Sequence, residues 1–283
     1  MKIWFTFILS LVFSIAGYTQ LLELFSGHKA SLSEWEINVS DLEKLKLIEP
    51  LRSSKLFEWP FNNLDNCQEC LNSFHIIDFD LDGRKDILYY GLLGGESQYL
   101  VIIRNTNESF RELLVVAGSL NFVSSKSSLT PLSIGITQYG CCMEMVNQFE
   151  VYVPIWNNGD LKYQLAIKYG FAYGTDFPKE TIRPIAFQTI KEEYKLRLSP
   201  SIDEGASKLE DTQFLGNQLA VYSKGSQGTA IAESIDDTGR TWWFVLMRNN
   251  IEPISTIMNE GENNSSNYYT MGWMSSRFVE IVD

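Results

Sequence analysis

The chain has 283 residues, with 35 acidic against 23 basic side chains and a net charge of −12. So acidic a surface repels nucleic acid and anionic lipid and excludes both as expected partners. The length suits one large domain or two ordinary ones.

The start, Met1-Lys2 and then the apolar run Ile3–Ala16, followed by Gly17 and Thr19, has the pattern of a secretory signal peptide. The run is short for a membrane span. Residues 1–19 are therefore expected to be removed, leaving a secreted or periplasmic protein without stable membrane insertion. Residues 20–60 read as a helical segment. Ser31-Leu32-Ser33-Glu34 and Ser40-Asp41-Leu42-Glu43 predict helix starts, and Leu42, Leu45, Leu47 and Ile48 predict an apolar side. Glu49-Pro50 predicts the stop.

From 61 to 200 the texture is β. Phe74–Ile77, Ile87–Tyr90, Tyr99–Arg104, Leu113–Ala117, Leu132–Thr137, Gln148–Ile155 and Leu161–Tyr169 predict short strands. Trp156-Asn157-Asn158-Gly159-Asp160 predicts a hairpin connection. The fold class expected is mainly β: a blade-like or sandwich sheet domain after a short helical segment, then a separate C-terminal domain over 201–283. The composition shift at Leu198–Gly205 is the expected boundary.

The four cysteines are Cys67, Cys70, Cys141 and Cys142. In an oxidising compartment an even count favours disulfides. Vicinal Cys141 and Cys142 are poorly placed to bond each other, so cross-links between the two pairs are expected. A four-cysteine zinc site fits the vicinal spacing badly, and no βαβ context supports a redox CxxC.

Between two predicted strands stands Asp78-Phe79-Asp80-Leu81-Asp82-Gly83-Arg84-Lys85-Asp86. Carboxylates at positions 1, 3, 5 and 9, a Gly at 6 and a backbone carbonyl from Arg84 at 7 are hard oxygen donors in the number Ca²⁺ takes. The same loop without metal would be a bare acidic turn. An EF-hand needs Glu at position 12 and a following helix, whereas position 12 here is Tyr89 in a strand. The stretch from Phe74 to Gly91 instead resembles the calcium loop of FG-GAP/VCBS repeats, the blade units of integrin-type β-propellers. A second copy is not found, so the resemblance implies a solitary blade-like unit holding Ca²⁺ through Asp78, Asp80, Asp82, Arg84 and Asp86.

Near the end run Gly228-Thr229-Ala230-Ile231, Asp236-Asp237-Thr238-Gly239, Thr241-Trp242-Trp243-Phe244-Val245 and Gly272-Trp273-Met274-Ser275-Ser276-Arg277-Phe278. This part, about 219–283, resembles a bacterial SH3 (SH3b) domain. The resemblance implies a small β-barrel that recognises extended peptide, such as the peptide stems of a cell wall. Trp242, Trp243, Tyr268, Tyr269 and Trp273 are the aromatic residues from which a binding groove could be built. The polar tract Asn259–Asn267 reads as a loop.

Nothing nominates catalysis. The histidines are His28 and His75, and no phosphate loop, GxSxG or HExxH occurs. The expectation is a non-catalytic, calcium-stabilised protein binding peptide or cell-wall material. The alternative is an effector- or immunity-type protein that meets a protein partner through its sheet domain, with the C-terminal part purely structural.

Overall fold

The computed structural model describes residues 30–63, 68–106, 108–126, 130–140, 146–207, 214–257 and 267–282. The expected signal peptide, His28, Cys67, Cys141, Cys142 and all of the polar tract but Asn267 lie outside the described residues. The fold is mainly β, as expected, with short helices near its start. No helix among the described residues is long and apolar enough to cross a membrane.

Helix α1, Asp41–Ile48, starts where its capping signal lies: Ser40 accepts a hydrogen bond from the Glu43 amide at 3.3 Å. It ends before Pro50, where a 3-10 turn takes over. Ser31–Glu34, expected to start another helix, forms a turn instead. The Trp35 and Glu36 amides donate to the Leu32 carbonyl, and Glu36 then bridges to Ile77. The apolar side expected of α1 is narrower than read: Ile48 is buried, but Leu42 is 65 % and Leu45 40 % exposed. A short α2, Glu58–Asn63, and α3, Gln68–Asn72, lead into the sheet.

The described chain forms two compact units, 30–138 with 150–166, and 139–149 with 167–282. In the first, β1 (Phe74–Ile77), β2 (Asp86–Leu92), β3 (Gln98–Asn105) and β4 (Phe110–Ala117) form an antiparallel meander. Its two faces are covered differently. Ile87, Tyr89, Val101 and Ile103 pack with Ile48, Phe57 and Phe61 of the helical segment. Leu88, Leu100 and Ile102 pack with Leu120, Ile134 and Ile136 from β5 (Ser119–Val123) and β6 (Ile134–Gln138). Strand β2 thus has no solvent face, which is why its sequence is a continuous apolar run rather than an alternation. Each such side chain contributes about 1.5–3 kcal/mol of burial.

Strands β7 (Val146–Asn157) and β8 (Asp160–Ala172) close on the expected turn, with Asn158 at φ 52° and Gly159 at φ 81°. Positive φ at both central residues suits the right-handed twist of a hairpin, and Asn-Gly tolerates it best.

The second unit centres on an antiparallel run of β12 (Gln227–Ile235), β13 (Thr241–Arg248) and β15 (Tyr268–Ser275). Strand β9 (Ile185–Thr189) pairs with β12, and β16 (Val279–Ile281) with β9. The other edge of β15 is shared: β8 pairs there in parallel at Tyr268–Thr270, and β10 (Tyr194–Arg197) at Trp273. Strand β10 also pairs with β11 (Gln218–Tyr222), which carries β14 (Ser255–Thr256). The expected closed barrel is not formed. With the edges of β12 and β15 taken by strands from before residue 201, the described ladders remain open. The composition shift at 198–205 falls inside this unit.

Candidate metal centre

The nine-residue acidic loop joins β1 to β2, two strands locked in register from Phe74–Tyr89 to Ile77–Asp86. A turn this tight is made possible by Leu81 at φ 61° and Gly83 at φ 83°. Asp78 organises it: its Oδ1 accepts from the Asp82 amide and its Oδ2 from the Gly83 amide, each at 3.0 Å. Substituting Gly83→Ala is expected to cost about 1–2 kcal/mol from the left-handed backbone alone. An added Cβ would meet nothing within 4 Å. Urea unfolding checks the figure.

Asp78, Asp80 and Asp86 converge, with one carboxylate oxygen of each lying within 4.8 Å of the others. Ligands on opposite sides of one Ca²⁺ stand about 4.6–5.2 Å apart, so the three fit a single coordination sphere. The Asp80 and Asp86 side chains are buried. Asp86 Oδ1 accepts from the Asn105 amide at 2.8 Å, but Asp86 Oδ2 and Asp80 Oδ1 have no hydrogen-bond partner. Burial pushes the Asp86 carboxyl up to about 7, and the neighbouring charges of Asp80 and Asp82 add to the rise against the Asn105 hydrogen bond. Asp80 is raised by burial and by Asp82, with Arg104 opposing. Burying two carboxylates with idle oxygens is costly unless a cation joins them.

Asp82, also expected to bind metal, is arranged otherwise. The Asp82 carboxylate is partly exposed and stands outside the converging three: its Oδ1 accepts from the Arg84 amide at 2.9 Å, and its Oδ2 pairs with the Arg84 guanidinium. Although its partial burial works the other way, these bonds hold its carboxyl below the usual range. That pair holds the Arg84 side chain, whereas the ligand expected of this residue is its backbone carbonyl.

Sequence reasoning missed Arg104. Its guanidinium lies 2.8 Å from Asp80 Oδ2 and 3.4 Å from Asp82 Oδ2, and it sits 5.1 Å from the centre of the Trp156 ring. Only register brings it there, one residue beyond the last β2–β3 pair, Ile87–Ile103. Nothing local in the sequence signals it. Tyr163 was missed as well: half-buried against the core of the first unit, it donates to the Leu132 carbonyl at 2.7 Å. Burial raises its hydroxyl well above the usual range, helped by the charges of Asp86 and Asp80.

Elsewhere, His75 Nδ1 stands 2.6 Å from Glu36 Oε1, at the surface and apart from any nucleophile among its hydrogen bonds. Cys70 is buried beside β1. The five aromatic residues do not form an open groove. Trp242, Trp243, Tyr268 and Trp273 are all buried, and Tyr269 is half-buried. Trp242 and Trp243 point to opposite faces of β13, as any two neighbours on a strand must. Both faces are covered here, so both indoles are interior. Their N–H groups donate to Asp236 Oδ2 at 2.8 Å and Glu233 Oε2 at 3.0 Å.

Compared with protein families, with curated proteins and with solved structures, the chain matches none.

Proposed function

We propose that this chain is an exported, non-catalytic binding protein whose first unit is stabilised by one Ca²⁺ held by Asp78, Asp80 and Asp86. The observation that carries the cation is the pair of buried carboxylate oxygens, on Asp80 and Asp86, that make no hydrogen bond. The meander order of β1 to β4 around the loop agrees with the FG-GAP/VCBS-like reading. Export rests on the apolar start of the chain, and in that compartment the buried Cys70 would serve as half of a disulfide. A non-catalytic role is supported by the surface position of His75 and by the use of the acidic loop's groups for holding one another. The binding role falls to the second unit, where the SH3b resemblance lies.

Equilibrium dialysis of EDTA-treated protein tests the cation. One calcium ion is expected per chain at millimolar supply or below, and none in the Asp80→Ala variant. Wild-type protein that retains no calcium at millimolar concentration would overturn the site. The intact mass of protein recovered from outside the cytoplasm tests export: loss of residues 1–19, or of a segment ending near Ala16, is the expected result.

A further inference from the structure

The second unit holds a cavity of about 220 Å³ between β10, the turn before β13 and the 3-10 turn Ser276–Phe278. On a chain of net charge −12, its lining is anomalous: four cations face two carboxylates. Two of the cations are already committed. Lys195 Nζ and Arg197 Nη2 each lie 2.9 Å from Glu204 Oε1, and Arg197 also donates to Asn217 Oδ1 at 2.8 Å. Hydrogen bonds from Lys195 and Arg197 hold the Glu204 carboxyl below its usual range. The second lining carboxylate, Glu193, is exposed and stands in water at the cavity's edge.

Lys191 and Arg240 remain. Neither has an ion pair among the described residues, and each is placed on an aromatic ring. Lys191 Nζ lies 4.9 Å from the centre of Phe278 and Arg240 Cζ 5.6 Å from the centre of Trp242. A ring fixes a cation in position without neutralising it. Arg240 Nε is buried and has no hydrogen-bond partner, a cost that an acceptor in the cavity would remove. The Tyr194 hydroxyl is not free to serve, since it donates to the Ser275 carbonyl at 2.6 Å. Ile202 adds an apolar wall.

We propose that this cavity binds the terminal carboxylate of a peptide, with Arg240 as its bidentate partner and Lys191 as the second positive charge. A planar guanidinium fork matches a planar carboxylate. The volume is below the roughly 300–1,000 Å³ of sites that enclose whole small ligands. It has room for a chain end and a short aliphatic side chain, not for a sugar chain. The proposal rests on the reading of the chain as a binding protein and gives that reading a ligand class. It does not depend on the cation loop.

The test is a titration of the full chain with acetyl-Ala-Ala bearing a free C-terminal carboxylate, followed through the Arg240 Nε–H resonance, with the C-terminal amide and inorganic phosphate as comparisons. The acid is expected to shift the resonance and the amide to leave it in place. Calorimetry should find binding weakened about tenfold or more in Arg240→Gln and less in Lys191→Gln, with melting temperatures unchanged. Arg240→Lys, which keeps the charge and loses the fork, should recover only part of the affinity. Equal binding of acid and amide, wild-type affinity in Arg240→Gln, or tighter binding of phosphate than of the acid would overturn the proposal. Peptide binding is read with and without calcium. Loss of calcium uptake with peptide binding intact would strike only the cation reading, and the reverse would strike only this one.

Discussion

Calcium is expected to raise the melting temperature of the metal-free protein, and to raise it more at pH 8 than at pH 5. The reason lies in Asp86. Its carboxyl is pushed from an ordinary 3.8 up to about 7 by burial, with Asp80 and Asp82 adding to the rise. Between those values the folded chain binds a proton that the unfolded chain has lost, so metal-free stability falls as pH rises through this window. Each tenfold change in proton affinity is worth about 1.4 kcal/mol, which puts the full loss near 4 kcal/mol for this one group. Asp80 moves in the same direction.

Calcium binds the ionised carboxylates and so competes with the proton. Its contribution, RT ln(1 + [L]/Kd), reaches about 2.7 kcal/mol at a hundredfold excess over Kd. For a chain of this size that corresponds to roughly 5–11 °C. Asp86→Asn keeps the shape and the acceptor for the Asn105 amide while removing the charge. That variant should be more stable than wild type at pH 8 without metal, show a flatter pH profile and gain little from calcium. Thermal scans at pH 5 and pH 8, with EDTA and with calcium, decide the matter. A larger calcium effect at pH 5, or none at pH 8, would contradict the argument.

Replacing Trp273 by Ala is expected to cost about 3–5 kcal/mol, the range for large-to-small changes in a core. The indole is 3 % exposed, lies edge-on to Phe244 with ring centres 5.3 Å apart, and donates to the Asp176 carbonyl. Its removal would leave a cavity and an idle carbonyl together. A surface groove residue would behave differently, as Trp156 should: it is 55 % exposed, and Trp156→Ala is expected to lower stability by less than about 1 kcal/mol. Urea midpoints of the two variants separate the cases. A Trp273→Ala protein as stable as wild type would return Trp273 to the surface and restore the aromatic groove.

Local chemistry was readable from the chain itself wherever a residue's neighbours in sequence are also its neighbours in space. The Ser40 cap, the stop at Pro50, the Asn158-Gly159 turn and the Asp78–Asp86 loop are of this kind, each set by a few consecutive dihedral preferences and hydrogen bonds. The period of the apolar residues placed most strands of the first unit within two residues. Tertiary structure alone decided the rest. It buried four of the five aromatic residues that the sequence offered for binding, because β13 and β15, which carry them, are buried along nearly their whole length. It exposed Leu42 and Leu45, because the sheet below α1 accepts only Ile48 fully. It also brought Arg104 to Asp80 and left Lys191 and Arg240 over one cavity. Strand register and edge pairing are sums over partners far apart in the chain, so no short window of sequence contains them.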